Sequence, residues 1–227
     1  MMDERYLIER NPVALSNGYV KNSLTQSRQP GAIVGGVSTD SPSLQKTSLE
    51  PLPEVAQEVE VIQKQFPDAQ LLLNQDFTYK NLLKNVEGPT SRILHLSTHG
   101  QFSSDPSQTF LLAWDRPLNV QDISGVLEAG NAGGLDLLFL SACYSAQGDP
   151  RSLLGLAGLS AQSGAKNTIA SLWSADAAAS VLLSQEFYVA VKDQRPMNEA
   201  LRQAQLKLLK SDYAHPYYWA NYVLLQL

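Results

Sequence analysis

A single cysteine, Cys143, occurs in 227 residues. One thiol excludes an internal disulfide, agrees with a reducing, cytoplasmic setting, and leaves Cys143 either reactive or simply buried. No run of about 18 apolar residues is present, so no membrane span is expected, and the charged stretch from Met1 to Arg10 has no apolar centre of the kind a secretory signal needs. Basic residues are few and unclustered. The 17 Lys and Arg against 22 Asp and Glu leave a net charge of −5, which argues against nucleic acid as the principal partner. Repeats and low-complexity tracts are lacking too, and nothing in the pattern calls for a metal or a cofactor. What is there is a chain 44% hydrophobic, read as one α/β domain over residues 1–227.

The apolar residues fall into short blocks that alternate with amphipathic ones. Ala32–Ser38, Leu71–Leu73, Arg92–Gly100, Thr109–Trp114, Leu135–Cys143, Thr168–Trp173 and Tyr217–Leu227 read as strands. Helical spacing appears in Glu54–Phe66, through Val55, Val59 and Ile62, and in the segment capped by Thr78, through Leu82, Leu83 and Val86. It recurs in 119–127, 153–164, 177–192 and 197–210. The polar face of the Glu54 helix reads as solvent-exposed. Tyr6 to Val20 reads as extended chain with no evident partner, and a Ser/Thr/Pro-rich flexible loop is expected near 39–52. The alternation predicts an α/β layer structure, with helices on both faces of a mainly parallel sheet.

Two blocks carry the chemistry. The run from Arg92 closes on His99-Gly100, and the run from Leu135 closes on Cys143. Ligand and reacting groups in open parallel sheets gather beyond the carboxyl ends of the strands, so the two endings bring a thiol and an imidazole to one sheet edge. A cysteine attacks a carbonyl as its thiolate and needs a base to lower a pKa that starts at about 8.5; His99 is that base. His95, deeper in the same strand, reads as a buried imidazole bonded to a backbone group. His215, before a proline, reads as loop structure. The histidine precedes the cysteine by 44 residues, a spacing that resembles the caspase arrangement.

Five ordered blocks carry a wider resemblance: His95-Leu-Ser-Thr-His-Gly100, Leu140-Ser-Ala-Cys143, Ile169-Ala-Ser-Leu-Trp173, Glu199-Ala-Leu-Arg-Gln-Ala-Gln205 and His215-Pro-Tyr-Tyr-Trp-Ala220. Together they resemble the signature of the CHAT domain, a caspase-like module often found after tetratricopeptide repeats. The resemblance extends weakly through Leu52–Glu58 and Tyr6–Arg10. It implies a three-layer caspase–hemoglobinase fold, a cysteine endopeptidase activity on a protein or peptide substrate, and a tetratricopeptide-repeat or other regulatory protein as partner. Two departures stand out: Tyr144-Ser145 follow the cysteine where the family usually has Glu-Thr, and Ser174-Ala-Asp176 keeps one carboxylate where the family usually has two.

In such an enzyme Cys143 is the nucleophile, His99 the proton carrier, and the backbone N–H groups of Cys143 and Gly100 the expected oxyanion donors. No acidic residue is evident to orient His99; a carbonyl could do so. Asp176 either accepts a basic side chain of the substrate, with Trp173 as a pocket wall, or caps the helix beginning at Ala177. The competing class is a catalytically silent module that binds proteins through the same fold.

Overall fold

The computed structural model describes residues 5–16, 31–87, 91–103, 105–131, 135–142 and 164–226. In chain order its strands are Leu15–Ser16 (β1), Gly31–Gly36 (β2), Gln70–Leu73 (β3), Ser91–Ser97 (β4), Gly100–Gln101 (β5), Phe110–Leu112 (β6), Pro117–Asn119 (β7), Leu137–Ser141 (β8), Asn167–Ser171 (β9) and Tyr222–Gln226 (β10). A seven-stranded sheet runs β1-β10-β9-β8-β4-β2-β3, and β5-β6-β7 form a small antiparallel sheet. In the large sheet only β9 and β10 are antiparallel neighbours. The strands proposed to carry the reactive residues, β4 and β8, are adjacent and parallel, with Ser97 opposite Ser141.

Helices cover both faces. Glu54–Gln65 (α2), Ala177–Lys192 (α5) and Met197–Leu209 (α6) pack against one core, while Tyr79–Val86 (α3) and Val120–Asn131 (α4) pack against the other. A one-turn helix, Leu7–Arg10 (α1), joins the first core through Ile8. Alternate strand residues supply opposite cores because the pleat turns successive side chains to opposite faces. Ile93, Leu137 and Phe139 face α2 and α5, whereas Leu94, Leu138 and Leu140 face α3 and α4. Both faces being buried explains why these strands read as continuous apolar runs. The three-layer, mainly parallel α/β architecture expected from the sequence is thus present. At the amino ends of the strands, Asp136 accepts two bonds from Arg92, each 2.8 Å, and pairs with Lys166 at 2.8 Å, tying the starts of β4, β8 and β9. Among the described residues no helix is long and apolar enough to cross a membrane.

Several local expectations are corrected. The segment from Tyr6 is not simply extended: it forms α1 and then β1, which pairs in parallel with β10, Leu15 opposite Leu225. The guanidinium of Arg202 in α6 donates to the carbonyls of Ile8 (2.6 Å) and Glu9 (2.9 Å), a distant contact that local periodicity does not encode. The strand expected over Thr109–Trp114 is β6, in the small sheet. The last strand starts at Tyr222, because His215-Pro216 opens a 3-10 turn over Pro216–Tyr218 in which His215 Nδ1 accepts from Tyr217 N–H at 3.2 Å. The loop near 39–52 is anchored in its middle: Ser41, Ser43 and Leu44 are buried, Ser43 N–H donates to Trp114 O at 3.2 Å, and the Ser43 hydroxyl donates to the carbonyl of Ala113. The helix expected over 153–164 lies outside the described residues apart from Gly164.

Candidate active site

The carboxyl ends of β4 and β8 open into a cleft of about 270 Å³ whose wall includes His99, Thr98 and Ala142. The backbone at His99 is fixed by β6. Leu112 N–H donates to His99 O at 2.8 Å, and the Thr98 hydroxyl donates to Leu112 O at 2.6 Å. The half-buried imidazole places Nε2 at 2.8 Å from the backbone carbonyl of Glu50. A carbonyl oxygen only accepts, so Nε2 carries the proton, and in the neutral ring Nδ1 is left as the basic nitrogen. The orienting group of His99 is therefore main chain.

Cys143 follows Ser141 by two residues, as His99 follows Ser97 by two. Cys143, with Tyr144 and Ser145, lies outside the described residues. Gly100 is buried in β5, where a Cβ would lie 2.6 Å from Leu111 Cδ2 and 3.1 Å from Phe110 O, so only glycine lets the strands approach this closely. Trp173 donates its indole N–H to Tyr217 O at 3.0 Å, and the cleft wall begins at the next two residues, Ser174 and Ala175. Asp176 caps α5, its Oδ1 accepting from Ala179 N–H at 2.9 Å. Among the described residues that line the cleft, Glu54 and Glu58 are the only carboxylates and none is Lys or Arg. A more open depression of about 410 Å³ along α4 shares no residue with this cleft.

Beneath the cleft lies a buried polar cluster that the sequence reading missed. Glu58 is only 2% exposed. Its Oε2 accepts from Ser97 Oγ (2.5 Å) and Ser141 Oγ (3.1 Å), and its Oε1 accepts from Ser184 Oγ of α5 (2.5 Å). His95 Nε2 is 3.3 Å from Oε1, close enough for charge attraction but misaligned for a hydrogen bond. His95 Nδ1 meets the Tyr188 hydroxyl at 2.9 Å, and its ring lies 4.7 Å from that of Phe139. His95 is thus buried as expected, but its partners are side chains rather than backbone.

Burial pushes the Glu58 carboxyl up, yet the adjacent His95 imidazole, followed by the bonds from Ser184 and Ser97, outweighs it and holds the group below its ordinary value. Burial, and then the charge of Glu58, push the Tyr188 phenol well above its ordinary value. The phenol therefore keeps its proton and can donate to Nδ1, which turns the remaining ring N–H toward Glu58. One signal in the sequence could have found this cluster: Glu58 occupies a position between Val55, Val59 and Ile62 on the buried stripe of α2, where a carboxylate needs partners.

The domain is thus a three-layer α/β structure with an oriented imidazole in a cleft beyond its parallel strand ends. The model of the CHAT domain family matches residues 1–226, and the chain belongs to that family. No curated protein matches the sequence. Among solved structures, the chain is similar to the complex of Porphyromonas gingivalis RgpB pro- and mature domains, at 12% identity and a TM-score of 0.52, over 86% of this chain and 47% of that one. A second similar structure, the Arg-specific cysteine proteinase gingipain R (RGPB), gives 13% identity and a TM-score of 0.48, over 92% of this chain and 49% of that one. The chain spans about half the length of these matched chains, and at such identity the first likeness establishes the fold alone.

Proposed function

We propose that this CHAT domain is a cysteine endopeptidase in which His99 and Cys143 form the catalytic dyad. The observation that carries the proposal is the proton assignment at His99: the Glu50 carbonyl holds the proton on Nε2, leaving Nδ1 as a base at the edge where β4 and β8 end in register. Cys143 transfers its thiol proton to His99 Nδ1, and the sulfur attacks the scissile carbonyl carbon to form a C–S bond and an oxyanion. Backbone N–H groups of Cys143 and Gly100 receive that charge. Collapse breaks the C–N bond, and the amine leaves with the proton from His99. Water then gives a proton to His99 and attacks the thioester; the C–S bond breaks and the thiolate regains its proton.

The substrate class follows from charge. The described lining of the cleft, with Glu54 and Glu58 and no Lys or Arg among the described residues, favours a basic side chain before the cut bond. Glu54 lines the cleft directly, while Asp176, between the lining residues Ala175 and Ala177, has one oxygen engaged in the helix cap. Trp173 stands beside the lining residue Ser174, where a bound side chain that extends past the cleft would meet it.

Iodoacetamide labelling at neutral pH tests the dyad, since Cys143 is the only thiol. Labelling of the wild type is expected to exceed that of His99→Ala by about tenfold or more, because an unassisted thiol is only a few per cent ionised at that pH. Equal rates would remove His99 from the mechanism. A positional peptide library read against Glu54→Ala and Asp176→Ala tests the pocket: a basic preference weakened by either change assigns that carboxylate, and an acidic preference contradicts the charge argument. A thiol activated by His99 that cleaves no member of the library would instead favour the binding-module class.

A further inference from the structure

We propose that Glu58 is a positioning residue for the dyad, a clamp that holds the ends of β4 and β8 level with each other. The inference rests on the dyad reading above. A single carboxylate oxygen, Oε2, receives the hydroxyls of both Ser97 and Ser141. Those two serines are cross-strand partners and form the final pair of the β4–β8 ladder. Past them no further backbone pairing joins the two strands among the described residues, and the next residues but one are His99 and Cys143. Where main-chain pairing ends, side-chain bonds to Glu58 take over.

The cluster is poorly explained as a source of stability. A buried carboxylate is costly to desolvate, and apolar side chains of similar size at Glu58, Ser97, Ser141 and Ser184 would fill the same space as well or better. The polar groups are confined to the cleft end of a core otherwise built from Val55, Val59, Ile62, Phe139 and Leu183. Each serine hydroxyl has one proton, and three of them are aimed at this carboxylate. On the opposite oxygen, Ser184 and His95 fix the carboxylate plane, so that Oε2 meets both strand ends at once. Such convergence restricts where the two strand ends can lie, and catalysis is more sensitive to that placement than folding is.

Glu58 touches no reacting atom in this scheme, and its effect reaches the thiol through the strand ends. The informative variants are Glu58→Gln, which keeps the shape but replaces one acceptor oxygen by a donor, and Ser141→Ala, which cuts the bridge to β8 alone. Asp136→Asn, at the far end of the same strands, is the control for general loosening of the sheet. The measurement is the rate of iodoacetamide labelling of Cys143 against pH, alongside the melting temperature. In Glu58→Gln the midpoint of the labelling profile is expected to move up by about one unit, a roughly tenfold loss of labelling at neutral pH; Ser141→Ala moves it the same way by less. Asp136→Asn lowers the melting temperature and leaves the profile where it was. If wild-type labelling is independent of His99, the dyad reading fails. If it depends on His99 while Glu58→Gln and Ser141→Ala both keep the wild-type profile, the dyad stands and the clamp is overturned. If Glu58→Gln does not fold, Ser141→Ala decides alone, and an unshifted profile there overturns the clamp.

Discussion

Glu58 is a carboxylate where its helix offers only apolar neighbours, and its ionisation links the cleft to folding. Its folded-state pKa lies below the ordinary 4.5. The stability it contributes is therefore fully present above about 4.5 and is lost as pH falls through the depressed folded value, the direction in which protonation removes an acceptor from Ser97, Ser141 and Ser184. Melting temperatures taken from about pH 6 down to about pH 3 should fall more gently in Glu58→Gln than in wild type, with Asp136 and Asp122 supplying the slope that remains. Parallel curves would mean that Glu58 titrates alike in the folded and unfolded chains. This residue also marks a limit of sequence reading. The helical stripe of Val55, Val59 and Ile62 was legible, but a carboxylate on that stripe looks the same as one at its edge until the serines that reach it are located in space.

Among the elements, β2 and α2 are held together by an absence of side chains. A Cβ on Gly36 would lie 2.5 Å from the carbonyl oxygen of Ser97 and 2.6 Å from Val55 Cγ1, and one on Gly35 would strike the Phe77 ring at 2.6 Å on the other face. Backbone cannot yield as a flexible side chain can, so Gly36→Ala is expected to cost roughly 1–3 kcal/mol and to push α2, with Glu58, away from the end of β4. Denaturant unfolding gives the cost, and the labelling profile of Cys143 registers the displacement; an Ala variant with wild-type stability would contradict this account. At the far end of the sheet, Asp136→Asn weakens the bonds from Arg92 and Lys166 and should cost about 1–2 kcal/mol, read as a shift in the denaturant midpoint. Strand existence was readable here because both faces are buried, as in the run from Arg92 to Ser97. Strand ends were harder: the last strand begins at Tyr222 rather than Tyr217 because a turn built by His215 and Pro216 prevails over the β propensity of two tyrosines and a tryptophan.

Across the molecule, the layer order and the adjacency of β4 and β8 follow from features that sequence displays openly, namely apolar blocks ending in chemistry-bearing residues with a helix between them. Contacts between distant segments were not so displayed. The pairing of β1 with β10, the hold of Arg202 on α1 and the convergence of α2, β4, β8 and α5 on one carboxylate each join residues separated by long stretches of chain. The bond from His99 to the Glu50 carbonyl belongs with them, and it has a genetic consequence. Because the acceptor is main chain, codon 50 can change to almost any residue while the acceptor persists, so a mutational scan of the whole chain should find position 50 tolerant although it orients the base. The following residue, Pro51, disfavours helical backbone at position 50 and so holds that carbonyl's direction. Pro51→Gly should therefore lower the labelling rate of Cys143 severalfold while Glu50→Ala leaves it within about twofold, the reverse of what the chemical character of the two side chains would suggest.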